Sequence, residues 1–418
     1  MLMRVSTATA FRAPVESMIR QQAEMERTQR EVSSGQKLQA LADNPAQAAR
    51  VSDLDRYLSA AERYSANAGF AADRLKLGDL TATAALDLIQ RVRELTVAGA
   101  SDALDVSARR AIAQEARGLS DQLLALANRP SESGEYLFAG SKSNAVPFVR
   151  MGGTVTYQGD SVEREVPISP TRRIADGFAG DEVFMDITRG NGAFVTGAAG
   201  ANTGRAVIDV GTVVNGVDWG TAATASPNGY KIVFSVGSSG TTYSVKKHDD
   251  SPLSPPITGV PYQPGQALSF LGAQVTVTGA PANGDVLTVV PVPASGSGSS
   301  ESVFATLDRL VAAMETADLS GGARARISTE LNGVLHQVDQ AMNSLSDARS
   351  SAGARLRTIE ESEAFAEEQE ILIKDDLSKL RDVDFAEALA RLNAQMTALQ
   401  VAQQAYSRIA NRSLFDYL

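Results

Sequence analysis

The sequence predicts a mainly α-helical protein with an inserted antiparallel β region, and three observations carry that reading. Apolar residues recur at alternating steps of three and four over long stretches near both ends, as in helices that bury one stripe. Between them, over residues 136–292, Gly, Thr, Val, Pro and Ser dominate, and short runs alternate apolar with polar residues. Hydrophobic residues make up 43% of the chain but aromatics only 6%, which suits Ala-rich helix packing better than a large aromatic enzyme core.

Composition also narrows function. The 418 residues include no cysteine, so disulfides and thiolate metal sites are excluded. A net charge of −10 argues against nucleic acid, whose phosphates demand clustered Lys and Arg. No run of about 18 apolar residues occurs, so no membrane insertion is expected. The start, MLMRVSTATAFRAPVESMIRQQ, lacks the apolar core of a cleaved secretory signal. That implies the cytoplasm by default, a default that fails for export through a dedicated channel.

The elements follow in order. Residues 17–33 are polar and helix-favouring, with Met18, Met25 and Val32 seven apart on one narrow stripe, and Gly35 stops the helix. Asn44 caps the next helix with Pro45 in its first turn. Its stripe runs from Val51 through Leu54, Leu58, Ala61, Ser65, Ala68, Ala72, Leu75, Asp79, Ala82, Leu86, Ile89 and Arg93 to Thr96. At about 1.5 Å per residue this is a rod of roughly 80 Å, with Gly69 and Gly78 allowing a bend. A further helix turns Ile112, Leu119, Leu123 and Leu126 inward and stops before Pro130.

The β runs are VTYQGDSVEREVPI, YKIVFSVGSSGTTYSVKK, AQVTVTG and DVLTVV, and residues 295–300 form a Ser/Gly linker. Val303, Leu307, Leu310 and Met314 mark a short helix. A very long one carries Ile327, Leu331, Val334, Val338, Ala341, Leu345, Ala348 and Ala352, then more weakly Ile359, Ala366, Ile373 and Leu380. Asp382, Val383 and Asp384 shift its phase.

The last stretch opens with an acidic capping box, Asp384 with Glu387. Its seam is Phe385, Leu389, Leu392, Met396, Leu399, Gln403, Tyr406 and Ala410, with Gln403 as a polar register position. Leu414, Phe415, Tyr417 and Leu418 crowd the terminus, and in a lone domain they make an exposed apolar patch. Helical stripes at both ends must pair with each other, since neither end buries its own. The expected divisions are 1–44 and 384–418 as axial helices marginal in a monomer, 45–135 and 296–383 as two halves of a helical bundle, and 136–295 as the β insert, divided near 190–204. The expected assembly interface comprises Met18, Met25, Val32, Phe385, Leu389, Leu392, Met396, Leu399, Gln403, Tyr406, Leu414, Phe415, Tyr417 and Leu418.

No catalytic pattern survives scrutiny: HExxH, P-loop and GxSxG are all missing from the sequence. His248, beside Asp249 and Asp250, reads as an exposed loop, and His336 as a partly exposed helical residue. Glu360, Glu361 and Glu363, with Glu367, Glu368 and Glu370, read as solvated helix faces. No enzyme activity, cofactor or metal is expected.

Three segments carry a family resemblance. VSSGQKL with ALADNPAQAAR (residues 32–38 and 40–50), RVRELTVAGA (91–100), and the run from Asp382 to the end resemble the signatures of flagellins and related axial proteins. The resemblance covers roughly the first 140 and last 100 residues. One departure is Asn44, where the family commonly has a second Asp after Asp43; Asn-Pro still caps a helix. MRVSTA, LLALANRPSESGEYLFAGSKSNAVPF and YQGDSVEREVPIS (residues 3–8, 123–148 and 157–169) are similar to the hook–filament junction branch, with flagellin itself as the other reading and a secreted coiled-coil binding protein as a third. Family-like sequence begins at Met3, which offers a second start beside Met1. The resemblance implies a flagellin-like bundle of long helices from both ends, a structural role, and a ring of subunits at the junction. Terminal helices would line the inner tube and the β insert would face outward. It further implies export through the flagellar type III channel without signal cleavage. The implied partners are copies of itself, hook-associated protein 1, flagellin, and a cytoplasmic export chaperone held by residues 384–418.

Overall fold

The computed structural model describes residues 7–37, 44–296 and 298–410. In chain order, α1 (Thr7–Ser34) is followed by α2 (Pro45–Gly99) and α3 (Val106–Ala127). Then come β1 (Phe148–Met151), β2 (Thr154–Tyr157), β3 (Glu165–Pro167), β4 (Arg173–Ala175), α4 (Gly180–Phe184), β5 (Ile187–Thr188), β6 (Phe194–Ala198), β7 (Val207–Ile208) and β8 (Thr212–Val213). Next are α5 (Gly216–Ala225), β9 (Tyr230–Gly237), β10 (Gly240–Lys247), β11 (Pro252–Pro261), β12 (Ala267–Phe270), β13 (Ala273–Thr278), β14 (Val286–Pro291) and β15 (Ser300–Glu301). The order closes with α6 (Val303–Glu315), α7 (Gly321–Arg381) and α8 (Phe385–Ala410). Two compact units result, Met1–Ala66 with Glu361–Leu418, and Asn67–Glu360, and both α2 and α7 contribute to each.

The larger unit holds two hydrophobic clusters. The first is helical. Ala68, Ala71, Ala72, Leu75, Ala82, Ala85 and Ile89 of α2 join Leu123 of α3, Leu307 of α6, and Leu331, Val338 and Leu345 of α7. Small Ala side chains on α2 let neighbouring backbones approach closely. The expected α2 stripe is buried or half-buried as far as Ala82 except at Ser65, which is exposed, and beyond Ala82 it keeps Ile89 and Thr96 but shifts between them. Ala85, Ile89, Val92 and Thr96 are buried, whereas Leu86 is half-buried and Arg93 exposed. Arg93 bonds Asp339 at 2.8 Å, and Asp79 accepts from Arg349 at 2.8 Å. The reason is geometric: a 3.5-residue repeat on a straight 3.6-residue helix drifts about 20° per heptad. Gly78 has a packing role. A Cβ there would lie 2.3 Å from Phe178, so the glycine admits that ring against the helix.

The expected β insert proves to be two things. Its first part adds Phe138, Phe148, Phe178 and Phe184 to the helical cluster, with ring centroids of Phe138 and Phe184 5.2 Å apart and of Phe148 and Phe184 5.5 Å. From Phe194 to Val289 the chain has a core of its own, including Trp219, Tyr230, Phe234 and Phe270. Five antiparallel strands lie in the order β11-β10-β9-β14-β6, and a second sheet runs β12-β13-β7, with β8 also on β13. Pro252, Pro255, Pro256 and Pro261 on edge strand β11 offer no N–H to a foreign strand. The sequence reading missed α5, whose GVDWGTAATA looks like loop. Asn215 caps it, accepting from Val217 and Asp218 N–H at 3.1 and 3.3 Å. Trp219 anchors it, donating through Nε1 to the Ala193 carbonyl at 3.2 Å.

Candidate assembly surface

The smaller unit is built from α1, the first part of α2, the last part of α7, and α8. Its ends are joined where the sequence breaks its own periodicity. Gly35 adopts φ +71°, the left-handed stop for which glycine has no Cβ penalty. The released chain then forms a short antiparallel strap: Lys37 N–H donates to the Arg381 carbonyl at 2.7 Å, and Val383 N–H to Gly35 at 3.0 Å. Asp384 starts α8, its Oδ1 accepting from Ala386 and Glu387 N–H at 2.9 and 3.2 Å, and Glu387 adds acid to the first turn. Asn44 caps α2 in the same way, accepting from Gln47 N–H at 3.2 Å just before Pro45.

The two terminal helices pack on one another. From α1 the stripe is Met18, Gln21, Met25, Thr28, Glu31 and Val32, with Thr28 and Glu31 buried and the rest half-buried. Glu31 sets the register by accepting from Arg391 at 3.2 Å while Arg27 lies 3.3 Å away.

On α8 the inward residues are Ala388, Leu392, Gln395, Leu399, Ala402 and Tyr406. Of the expected seam, Leu392, Leu399 and Tyr406 lie on this side. Phe385, Leu389, Met396 and Gln403 do not: Phe385 is 52% exposed, Leu389 46% and Met396 54%. The helix carries two overlapping three-four stripes. Ala and Gln weigh little in a hydrophobic pattern, so the larger residues of the outer stripe dominate the reading. The polar residue facing α1 is therefore Gln395, not the exposed Gln403. The Oε1 atoms of Gln395 and Gln21 are buried without a hydrogen-bond partner among the described residues. Further round the helix lies a separate shallow apolar face of Ala394, Thr397, Ala398, Val401 and Ala405. Leu414, Phe415, Tyr417 and Leu418 lie outside the described residues.

What this unit lacks is a core. Among the described residues, its buried hydrophobic side chains are Leu377, Val383 and Ala388. Against these stand exposed Ile19, Tyr57, Phe365, Ile371, Leu372, Phe385, Leu389, Met396 and Val401. Burying one such large side chain contributes about 1.5–3 kcal/mol, so most of the unit's apolar surface is unrealised stability. Apart from the buried Glu31 and the half-buried Glu363 and Glu370, most of its charges face solvent. Hydrogen bonds to Glu370 and Asp375 push the ammonium groups of Lys374 and Lys379 upward, and Glu361, Glu367 and Glu368 are exposed, as is Glu360 at the edge of the larger unit. Such an arrangement can bind helices.

The family-like motifs of the larger unit prove structural. Tyr157 Oη donates within reach of the Phe138 and Asp160 carbonyls, at 3.1 and 3.0 Å, and accepts from Gly180 N–H at 3.2 Å. Asp160 accepts from Ser141 N–H at 2.7 Å and its hydroxyl at 2.6 Å. These bonds hold the Ser141 hydroxyl and amide against the carboxylate and keep the Asp160 carboxyl below its ordinary range. Gly140, at φ +65°, has no room for a Cβ beside the Asp160 carbonyl.

Sequence reasoning missed a buried ionic cluster. Arg74 reaches Glu135 at 2.7 Å, and Arg164 bridges Asp176 at 2.6 Å and Glu135 at 3.0 Å. Its members are scattered over a hundred residues without periodicity. His248 is exposed, and His336 is half-buried. Among the described residues no group of three or more His, Asp or Glu is arranged to hold a metal, and no helix is long and apolar enough to cross a membrane.

Comparison with known proteins gives consistent matches at both ends of the sequence and over nearly four-fifths of the chain in structure. The bacterial flagellin N-terminal helical region matches residues 5–143, and the C-terminal helical region residues 335–418. Flagellar hook-associated protein 3 of Escherichia coli (strain K12) is 28% identical over 207 residues, 50% of this chain and 65% of that protein. Its Salmonella typhimurium counterpart is 26% identical, and the match covers 58% of that protein, so the chain spans roughly 60% of the length of these relatives. Among solved structures, flagellar hook-associated protein-3 from Legionella pneumophila superposes with TM-score 0.71 at 28% identity, covering 79% of this chain and 98% of that one. FlgL of Xanthomonas campestris gives TM-score 0.67 at 30% identity, covering 78% and 99%.

Proposed function

The chain belongs to the flagellar hook-associated protein 3 family of flagellin-like axial proteins, and on that premise we propose that it is a structural, non-catalytic adaptor subunit of the bacterial hook–filament junction. One observation carries the reading furthest: the paired terminal helices leave Phe385, Leu389 and Met396 in water along one face of α8. A face of that kind suits packing among copies in a ring, each copy supplying the apolar cover its neighbour lacks. In this reading one end of the ring meets hook-associated protein 1 and the other meets flagellin. Before assembly, the same C-terminal helix is held by a cytoplasmic export chaperone. The subunit leaves through the flagellar export channel without signal cleavage and ends outside the cell, in the flagellum.

The experiment is deletion and complementation. Cells lacking the gene should carry hooks without filaments and shed flagellin into the medium. The wild-type gene should restore filaments, and a Leu389→Ser/Met396→Ser double variant should not. Attached filaments in the deletion strain would overturn the proposal. So would a copy number in the thousands per flagellum, which belongs to a filament subunit.

A further inference from the structure

The α1–α8 pair runs antiparallel. Glu31 of α1 meets Arg391 at 3.2 Å, and Gly35, further along α1, lies against the ring of Phe385, earlier in α8, 3.7 Å from where a Cβ would stand. Both inward stripes step by threes and fours in mirrored order, so they meet in layers. Thr28 stands level with Leu392, Met25 with Gln395, and Gln21 with Leu399. Two of these layers set an amide against a large apolar side chain. The Oε1 atoms of Gln21 and Gln395 are buried there with no hydrogen-bond partner among the described residues. A buried acceptor left unsatisfied costs its full desolvation.

A slide of half a heptad removes both mismatches. When α8 moves along α1 toward its own C-terminus by about 3.5 residues, roughly 5 Å, Gln395 comes level with Gln21 and the two amides hydrogen-bond each other. Leu392 then meets Met25, and Leu399 meets Met18. Like faces like in every one of these layers. The contacts that hold the pair out of this register sit at its other end: the Lys37–Arg381 and Gly35–Val383 backbone bonds of the strap, and the Glu31–Arg391 ion pair. All three must open for the slide. Packed helices have discrete arrangements and pass between them by steps of about one turn.

We propose that the terminal pair has two registers, that the strap latches the isolated subunit in the mismatched one, and that α8 slides into the amide-paired one when the subunit assembles. The proposal takes the assembled state from the junction reading. A single polar layer that is matched in only one register is an established way for paired helices to specify register.

The test moves one glutamine without changing composition. In Gln395→Leu/Leu399→Gln, the amides of positions 21 and 399 pair in the latched register and are mismatched in the slid one. Purified full chain carrying this swap should show amide exchange in α1 and α8 slowed about tenfold. The same gene should fail to restore filaments to the deletion strain. Adding Met18→Gln/Gln21→Met places an amide opposite position 399 in the slid register and recreates both mismatches in the latched one. That four-residue variant should return exchange to the wild-type rate and restore filaments. Unchanged exchange in the first swap, or filaments on cells carrying it, overturns the proposal, as does a four-residue variant with wild-type exchange and no filaments. Failure of the wild-type gene to restore filaments counts against the junction reading instead, and the exchange rates of the purified chains still decide the pairing of the layers.

Discussion

Single residues in the larger unit decide stability in ways that a hydrophobic pattern does not reveal. Asp176 is fully buried and faces two cations, Arg164 at 2.6 Å and Arg74 at 3.5 Å. Burial pushes the Arg74 guanidinium down, and Asp176 is the main charge holding it up. Asp176→Ala would leave two arginines with only Glu135, and should cost about 3–5 kcal/mol in urea unfolding. A loss below about 1 kcal/mol would mean that water already screens the cluster. Two further aspartates carry opposite signs. Ser141 bonds depress Asp160, so its contribution is present above the ordinary carboxylate value of 3.8 and is lost as pH falls through the lower folded value. Burial on α6 raises Asp308 against the pull of Arg150 and Arg117, so its ionisation opposes folding as pH rises from 3.8 through the higher folded value. At pH 7, Asp160→Asn should therefore lower the melting temperature and Asp308→Asn should raise it. Both differences should vanish in acid, below the lower of the two pKa values in each case. Parallel shifts of one sign across pH would contradict the assignment.

Among the elements, α8 shows best what a sequence carries and where it misleads. Its start was readable because Asp384 has a local chemical role, and two backbone N–H groups reach its carboxylate. Asp384→Ala should cost about 1 kcal/mol of local helix stability, seen as faster amide exchange over residues 385–392. Its inward face was not readable. Leu389 and Met396 look like core and are exposed, while Ala388, with no side chain to speak of, is fully buried. Which of two adjacent stripes turns inward depends on the register fixed by Glu31 with Arg391 and by the strap through Gly35, contacts made across some 350 residues of chain. The two faces predict opposite phenotypes. Ala388→Glu should disrupt the α1–α8 pair in the monomer. Met396→Ser should leave monomer helicity unchanged and impair assembly alone. If Met396→Ser lowers monomer helicity as much as Ala388→Glu, the outer face is not free. The same logic explains α2: its existence follows from periodicity, its phase past Ala82 from the drift of a straight helix, and the role of Gly78 only from Phe178 across the fold.

At the scale of the molecule, the two units differ in how much of their stability they contain. The larger one buries long stripes of α2, α3, α6 and α7 together with an aromatic cluster, and its sheets enclose a second core. The smaller one holds its helices by i-to-i−4 backbone bonds, a strap, the Arg391–Glu31 ion pair between α1 and α8 and, among the described residues, the buried side chains of Leu377, Val383 and Ala388. An isolated helix in water is marginal, and a long two-helix pair with little burial gains little more. Buried amide oxygens without partners on Gln21 and Gln395 lower that gain further. Opening of α1 and α8 should then be local, at a small free energy, while the stripe over residues 327–359 opens only with global unfolding. In the isolated monomer, amides of residues 12–34 and 385–408 should exchange on the order of 10³-fold faster than those of 327–359, a gap of about 4 kcal/mol. On assembly they should become protected, because the exposed α8 face then acquires its cover. Equal protection of the two sets in the monomer would mean that the terminal pair is stable by itself, and its exposed apolar face would no longer reflect an unfinished core.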